Sequence, residues 1–220
     1  LDLAEGVAMV ARADPDYTTI AREVTQIRVL EESTASQWGA ARLAFGSVEV
    51  TSQVVAFLRK RVVTGEVLGE EPLDLPPRQL RTRAVWWTVG DDQLAAAGLA
   101  PADLPGAAHA AEHASIGLLP LFATCDRWDV GGVSSARHED TGQATVFVYD
   151  GHPGGAGFAE RGYAAAGAWL RATREAIAAC GCLDGCPSCV QSPKCGNGNL
   201  PLDKSGALRL LGVLLAGQAR

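Results

Sequence analysis

Five of the six cysteines in this 220-residue chain crowd into CGCLDGCPSCVQSPKC, from Cys180 to Cys195; the sixth is Cys125. Their spacing is Cys180-x-Cys182-x3-Cys186-x2-Cys189-x5-Cys195. The segment has little apolar content of its own, so a cage of ligands, and not a hydrophobic core, is expected to hold it. Zinc takes four soft thiolates in a tetrahedron, and a CxxC knuckle supplies two of them from one tight turn. Gly185 and Pro187 bracket Cys186 in such a turn. A disulfide framework fits poorly, because no export signal is present and cysteines this close in sequence often cannot reach bridging geometry. Iron–sulfur clusters use other spacings. A thioredoxin-like pair at Cys186 and Cys189 would open a helix after a strand and would not need three further cysteines. Structural Zn2+ is therefore the expected cofactor, with Cys180, Cys182, Cys186 and Cys189 as ligands and Cys195 in reserve. A competing set drops Cys180 or Cys182, since ligands at i and i+2 are less common than CxxC.

The rest of the chain reads as globular, at 47% hydrophobic and 20% charged residues. No apolar run is long enough to span a membrane, so no membrane partner is expected. The opening LDLAEGVAMVARADPDY has neither a signal peptide's basic start nor an initiator Met. A piece of a longer cytoplasmic protein is the expectation. A formal charge of −6 argues against a free-standing basic nucleic-acid binder. Arg59-Lys60-Arg61 and Arg78/Arg81/Arg83 are nevertheless local basic clusters, either solvated surface or phosphate contacts.

From Tyr17 to Val89 the pattern favours strands: REVTQIRVLEES and SVEVTSQVVAFLRKRVV are rich in Val, Ile and Thr with partial alternation. PLDLPPRQL reads as an extended connector, because its prolines remove backbone donors, and RTRAVWWTV as a short strand. After Gly90 the character turns helical. Asp91 can cap DDQLAAAGL, PGAAHAAEHASIGLLPLFA reads as a longer helix, and ATVFVYD (144–150) as a buried strand. The turn GHPGGAG then leads into one helix over FAERGYAAAGAWLRATREAIAAC, and Asp203 is a good N-cap for KSGALRLLGVLLAG. The expected class is α+β. A β-rich N-terminal domain (1–95), a small barrel or bent sheet, precedes a mixed α/β zinc-binding domain (96–220).

No catalytic set assembles from the sequence. GHPGGAG invites a phosphate-cradle reading but lacks the lysine of a P-loop, so a tight turn requiring small residues is preferred. His109 and His113 share a helix face without forming HExxH, and read as core or surface histidines. HED at 138–140 has no second histidine at a metalloprotease spacing. Cys125 reads as a buried small hydrophobe. Trp86, Trp87 and Trp128 can stack on bases or sit in the core.

The runs HAAEHASIGLLPLFATCDRWDVGG, TVFVYDGHPGGAGFAERGY and CGCLDGCPSCVQSPKCGNGNLPLDKSGALRLL together resemble the C-terminal zinc-binding domain of the MrfA/SftH-type superfamily 2 DNA helicases. The resemblance covers roughly 105–212, and more loosely the strand-rich region before it. It implies a non-catalytic accessory part of an ATP-dependent helicase that moves 3′ to 5′ on single-stranded DNA and serves DNA repair. ATP and Mg2+ would then act only through motor domains lying in cis outside this sequence. Single-stranded or forked DNA would be the partner, with Arg59, Lys60, Arg61, Arg81, Arg83 and Trp86 as candidate contacts. The family's cysteine pattern matches Cys180, Cys182, Cys186 and Cys189. A platform that recruits a repair protein without touching DNA is the rival reading.

Overall fold

The chain is described by a computed structural model covering residues 4–218; the outermost residues of the two expected domains, 1–3 and 219–220, lie outside it. A long antiparallel hairpin opens the fold: β1 (Tyr17–Trp38) runs out and β2 (Ala41–Arg61) returns. The short β3 (Val67–Pro72) pairs with the far end of β2, and β4 (Arg78–Val89) with its near end. Of the prolines of PLDLPP, Pro72 ends the short β3, and Pro76 and Pro77 fall in the extended link before β4, where no ladder needs their amides.

β4 is then joined by β6 (Ala144–Asp150), and β6 by β5 (Val130–Ser135), giving the order β1-β2-β4-β6-β5. Strands from both halves of the sequence thus share one sheet, which crosses the boundary expected near residue 95. The path is open, yet the sheet curls. His138 Nε2, in the β5–β6 connection, donates to the Ile27 carbonyl on the far edge strand at 3.0 Å, and Asp140 accepts from Val29 N at 2.7 Å. HED at 138–140 is therefore a structural clasp, and of the two expected shapes the bent sheet is the one observed.

Alternation along β4 sends neighbouring tryptophans to opposite faces. Trp87 faces the helices and meets Trp169 edge-on, with ring centroids 5.9 Å apart. Trp86 faces the concave side, where Ile27, Val48, Val50 and Phe147 close a second, smaller core.

The helical layer comprises α1 (Asp91–Ala96), α2 (Leu104–Leu118), α3 (Pro120–Ala123), α4 (Phe158–Ala164), α5 (Ala166–Ala179) and α6 (Lys204–Ala216). Gly90, not Asp91, occupies the N-cap of α1, and Asp91 lies in its first turn. The single helix expected after GHPGGAG breaks at Ala165. α4 stays on the sheet, where the Tyr163 hydroxyl lies 2.9 Å from Ser36 Oγ, whereas α5 turns to pack against α6. Leu210, Leu211 and Leu214 of α6 are fully buried, each stabilising the fold by about 1.5–3 kcal/mol. Asp203 caps α6, accepting from Gly206 N at 2.8 Å. Cys125 packs partly buried against the main core, and burial, helped by nearby acidic groups, raises its thiol pKa.

Candidate metal centre and nucleic-acid interface

The cysteine loop joins two packed helices: α5 ends at Ala179, with Cys180 as its C-cap, and α6 begins at Lys204. Within it the four predicted thiols converge. Sγ–Sγ separations are 3.6 Å for Cys180–Cys182, 3.5 Å for Cys180–Cys186, 3.5 Å for Cys182–Cys189 and 3.8 Å for Cys186–Cys189. All four sulfurs lie within 4.8 Å of one another. A zinc ion with bonds of about 2.3 Å to a tetrahedron of sulfurs needs edges of about 3.8 Å, so the cage has the right size for it. Cys186 and Cys189 form the expected knuckle, with Cys186 N donating to Cys189 Sγ at 3.3 Å. Val190, fully buried behind them, fixes the loop to the core.

Lys204 completes the cage, and nothing in the sequence singled it out. It is 8% exposed, and its Nζ donates to the carbonyls of Cys180 and Cys182, each at 2.6 Å, while lying 3.4 Å from Cys182 Sγ. Burial works against its charge, but Cys182, Cys180 and Cys189 raise its pKa above the ordinary lysine value. Burial likewise opposes ionisation of Cys182, yet hydrogen bonds from the other three thiols and Lys204 bring it down to about 7. A tetrathiolate around a divalent ion carries net negative charge, and the ammonium sits where it offsets that charge.

The candidate DNA contacts do not form one patch. Arg81 and Arg83 lie beside the middle of β2, opposite Glu49 and Ser47, whereas Arg59, Lys60 and Arg61 lie ten residues farther along that strand, on the order of 30 Å away. Most of these arginines are already engaged. Arg59 pairs with Glu71 at 2.8 Å, and Arg61 with Asp16 and Glu66. Arg81 and Arg28 both hold Glu49, whose carboxyl is kept below its usual range by them, Arg81 first. Arg83 bonds Ser33 and lies over the Phe45 ring. Trp86 does not present a stacking surface: it is 3% exposed, with its ring against Phe147. The available aromatic is Trp128, 68% exposed with Lys194 Nζ 5.1 Å from its ring centroid.

GHPGGAG does bind an anion, but one supplied by the chain. The buried Asp150 carboxylate, at the end of β6, accepts from Ala156 N at 2.6 Å, Gly157 N at 2.8 Å and Ala159 N at 2.7 Å. Gly155 must be glycine: its φ is +91°, and a Cβ there would stand 2.7 Å from Arg83 Cγ. The amides that a phosphate would need are already taken.

Residues 111–190 match the family model of the MrfA Zn-binding domain. An uncharacterized protein of Methanocaldococcus jannaschii is 41% identical over 111 residues, which make up 99% of its length and 49% of this chain. The family is settled by that full-length match together with the domain model. This chain belongs to the MrfA zinc-binding domain family. An uncharacterized ATP-dependent helicase of Bacillus subtilis, YprA, is 32% identical over 192 residues, covering 86% of this chain. The chain spans only 25% of that helicase's length. Among solved structures, the helicase MrfA bound to DNA superposes with a TM-score of 0.66 at 29% identity, over 92% of this chain and 26% of the other.

The MrfA zinc-binding domain match stops short of two residues that the fold brings together with a third. His109, His113 and Cys195 place one ligand atom each within 4.8 Å of the others. His109 Nε2 is 3.4 Å from Cys195 Sγ. Asn199 shapes the loop that carries the thiol: its side chain bonds Ser192 N and Ser192 O, and its amide donates to Cys195 Sγ at 3.2 Å. Burial opposes ionisation of Cys195, but hydrogen bonds from His109 and His113 and from the amides of Asn199 and Asn197 bring it down to about 5. Burial also works against charge on His109, yet Cys195 and the Pro201 carbonyl raise its pKa. The three residues open onto a cavity of about 420 Å³ also lined by Glu112, Ser134, Tyr149 and Lys194.

Proposed function

We propose that this chain is the accessory zinc module of an ATP-dependent DNA helicase that moves 3′ to 5′ on single-stranded DNA and acts in repair. The tetracysteine cage at the joint between α5 and α6 carries this reading, supported by the fold shared with DNA-bound MrfA. Zn2+ held by Cys180, Cys182, Cys186 and Cys189 would supply no reaction chemistry; it would cross-link the joint. The chain's own residues would do the rest, with the helical layer acting as one block and Arg81, Arg83, Arg59, Lys60 and Arg61 offering phosphate contacts at two separated places. ATP and Mg2+ would be used by motor domains in cis, in a cytoplasmic protein. The β-rich strands before residue 95 would form the DNA guide, and residues 96–220 the zinc-binding unit.

A salt titration of single-stranded DNA binding, read by fluorescence anisotropy, tests the contact. Arg81→Ala with Arg83→Ala is expected to weaken binding and to reduce the slope of log affinity against log salt by about 0.7 per lost phosphate contact. Unchanged affinity and slope in this pair and in the Arg59/Lys60/Arg61 triple would remove the DNA-guiding role. The pairing of Arg59, Arg61 and Arg81 with carboxylates, in a chain of charge −6, favours the second reading, a platform that recruits a repair protein. No salt-sensitive binding by the wild-type chain is the outcome that reading expects.

A further inference from the structure

We propose that His109, His113 and Cys195 form a second zinc-type metal site, separate from the tetracysteine cage, with one coordination position open to the adjoining cavity. Two imidazoles and a thiolate suit a borderline-soft divalent ion, and three protein ligands with a free position are the pattern of reactive zinc sites.

Hydrogen bonds fix which ring atoms are offered. His109 Nδ1 is 2.8 Å from the Pro201 carbonyl, and His113 Nδ1 is 2.9 Å from the Val190 carbonyl. A carbonyl can only accept, so each Nδ1 carries a proton, and a metal that displaces the Nε2 proton takes the lone pair on the side facing Cys195 Sγ. Orienting a ligand imidazole through its other nitrogen is the usual outer support of a metal site. With metal–nitrogen bonds of about 2.0–2.1 Å and a metal–sulfur bond of about 2.3 Å, tetrahedral geometry needs nitrogen and sulfur about 3.6 Å apart. The 3.4 Å between His109 Nε2 and Cys195 Sγ is close to that value.

His109 and His113 come from one face of α2 and Cys195 from the loop folded over it, so the site exists only in the folded chain. His109-Ala110-Ala111-Glu112-His113 also has the H-x-x-E-H order in which two helical histidines bind zinc beside a carboxylate. Glu112 is buried against β5, and Gly132 leaves its side chain room: a Cβ there would lie 2.7 Å from Glu112 Cγ. The open position faces a polar cavity and would take water or a small anion, with Glu112 on the cavity wall.

The test is metal stoichiometry of the purified chain after loading with Zn2+, and with Co2+ as a spectroscopic substitute. Two equivalents are expected for the wild type. Cys195→Ser, His109→Gln and His113→Gln should each fall to one while keeping the four-thiolate cobalt absorption of the cage. Cys195→Asp, which restores an anionic ligand, should recover the second equivalent. Circular dichroism melts verify that each variant is folded. Alkylation of Cys195 gives a readout independent of stoichiometry and should slow at least tenfold when the metal is added. A wild type that binds one equivalent, with Cys195 alkylated equally fast with and without metal, would overturn the site and leave Cys195 and His109 as a plain thiolate–imidazolium pair.

Discussion

Asp150 shows how a single side chain decides what a loop is for. The turn after β6 holds Gly154, Gly155 and Gly157 at positive φ and aims a row of amides inward, the geometry that elsewhere cradles phosphate. Here the fully buried carboxylate of Asp150 receives three of those amides. Asp150→Ala would leave them buried without an acceptor, at a cost of about 3–5 kcal/mol. Asp150→Asn keeps the shape and one acceptor oxygen and should cost less than half as much. Urea unfolding curves of both variants measure the difference, and equal stability of Asp150→Ala and wild type would show that water replaces the carboxylate. The sequence identified GHPGGAG as a tight turn through its glycines. It did not reveal the occupant, because an aspartate ending a hydrophobic strand looks like any solvated strand end until the three amides fold back over it.

At the scale of elements, the first turn of α6 deserves comparison with the cage it touches. Asp203 was legible as an N-cap, since its type and its place before KSGALRLL state the physics directly. The cysteine ladder was legible for the same reason: spacing along the chain is the constraint that a tetrathiolate obeys. Lys204 was not, because a lysine in the first turn of a helix is ordinarily solvent-facing, and only the return of the loop over α6 buries it. β5 was missed too, as VGGVSS has too few strand-forming side chains; its glycines matter for what packs on them. The His109–His113–Cys195 group was hidden by a separation of 86 residues between His109 and Cys195. Replacing Lys204 with Met keeps the stem and removes the ammonium that bonds Cys180 O and Cys182 O. Zinc affinity in chelator competition is expected to fall about 10–100-fold, as when other outer partners of metal ligands are lost. Lys204→Arg, which keeps charge but not shape, should recover only part of it. An unchanged affinity in Lys204→Met would reduce the residue to a helix-start anchor.

For the molecule as a whole, the decisive question is how much of the fold the metal carries. The sheet closes its concave core with Ile27, Val48, Trp86 and Phe147, and the helical layer closes the other face with Trp87, Trp169, Leu210 and Leu214. None of these contacts passes through the cage, so the chain is unlike a zinc finger, in which the metal provides nearly all the folding free energy. The cage acts more as a cross-link: fixing Cys180 to Cys189 removes the freedom of a short loop, worth about 3 kcal/mol by the same chain-entropy argument that applies to disulfides. In a chain of this size that corresponds to a fall in melting temperature of about 6–12 °C when zinc is stripped. Far-UV circular dichroism at low temperature should then stay close to that of the zinc-loaded chain, while limited proteolysis cuts first between α5 and α6. Repeating the chelation in Cys195→Ser isolates the tetracysteine contribution from any metal at the histidine pair. Collapse of the strand signal on chelation would place the metal at the root of the whole fold, and the joint between α5 and α6 would then be holding far more than its own loop.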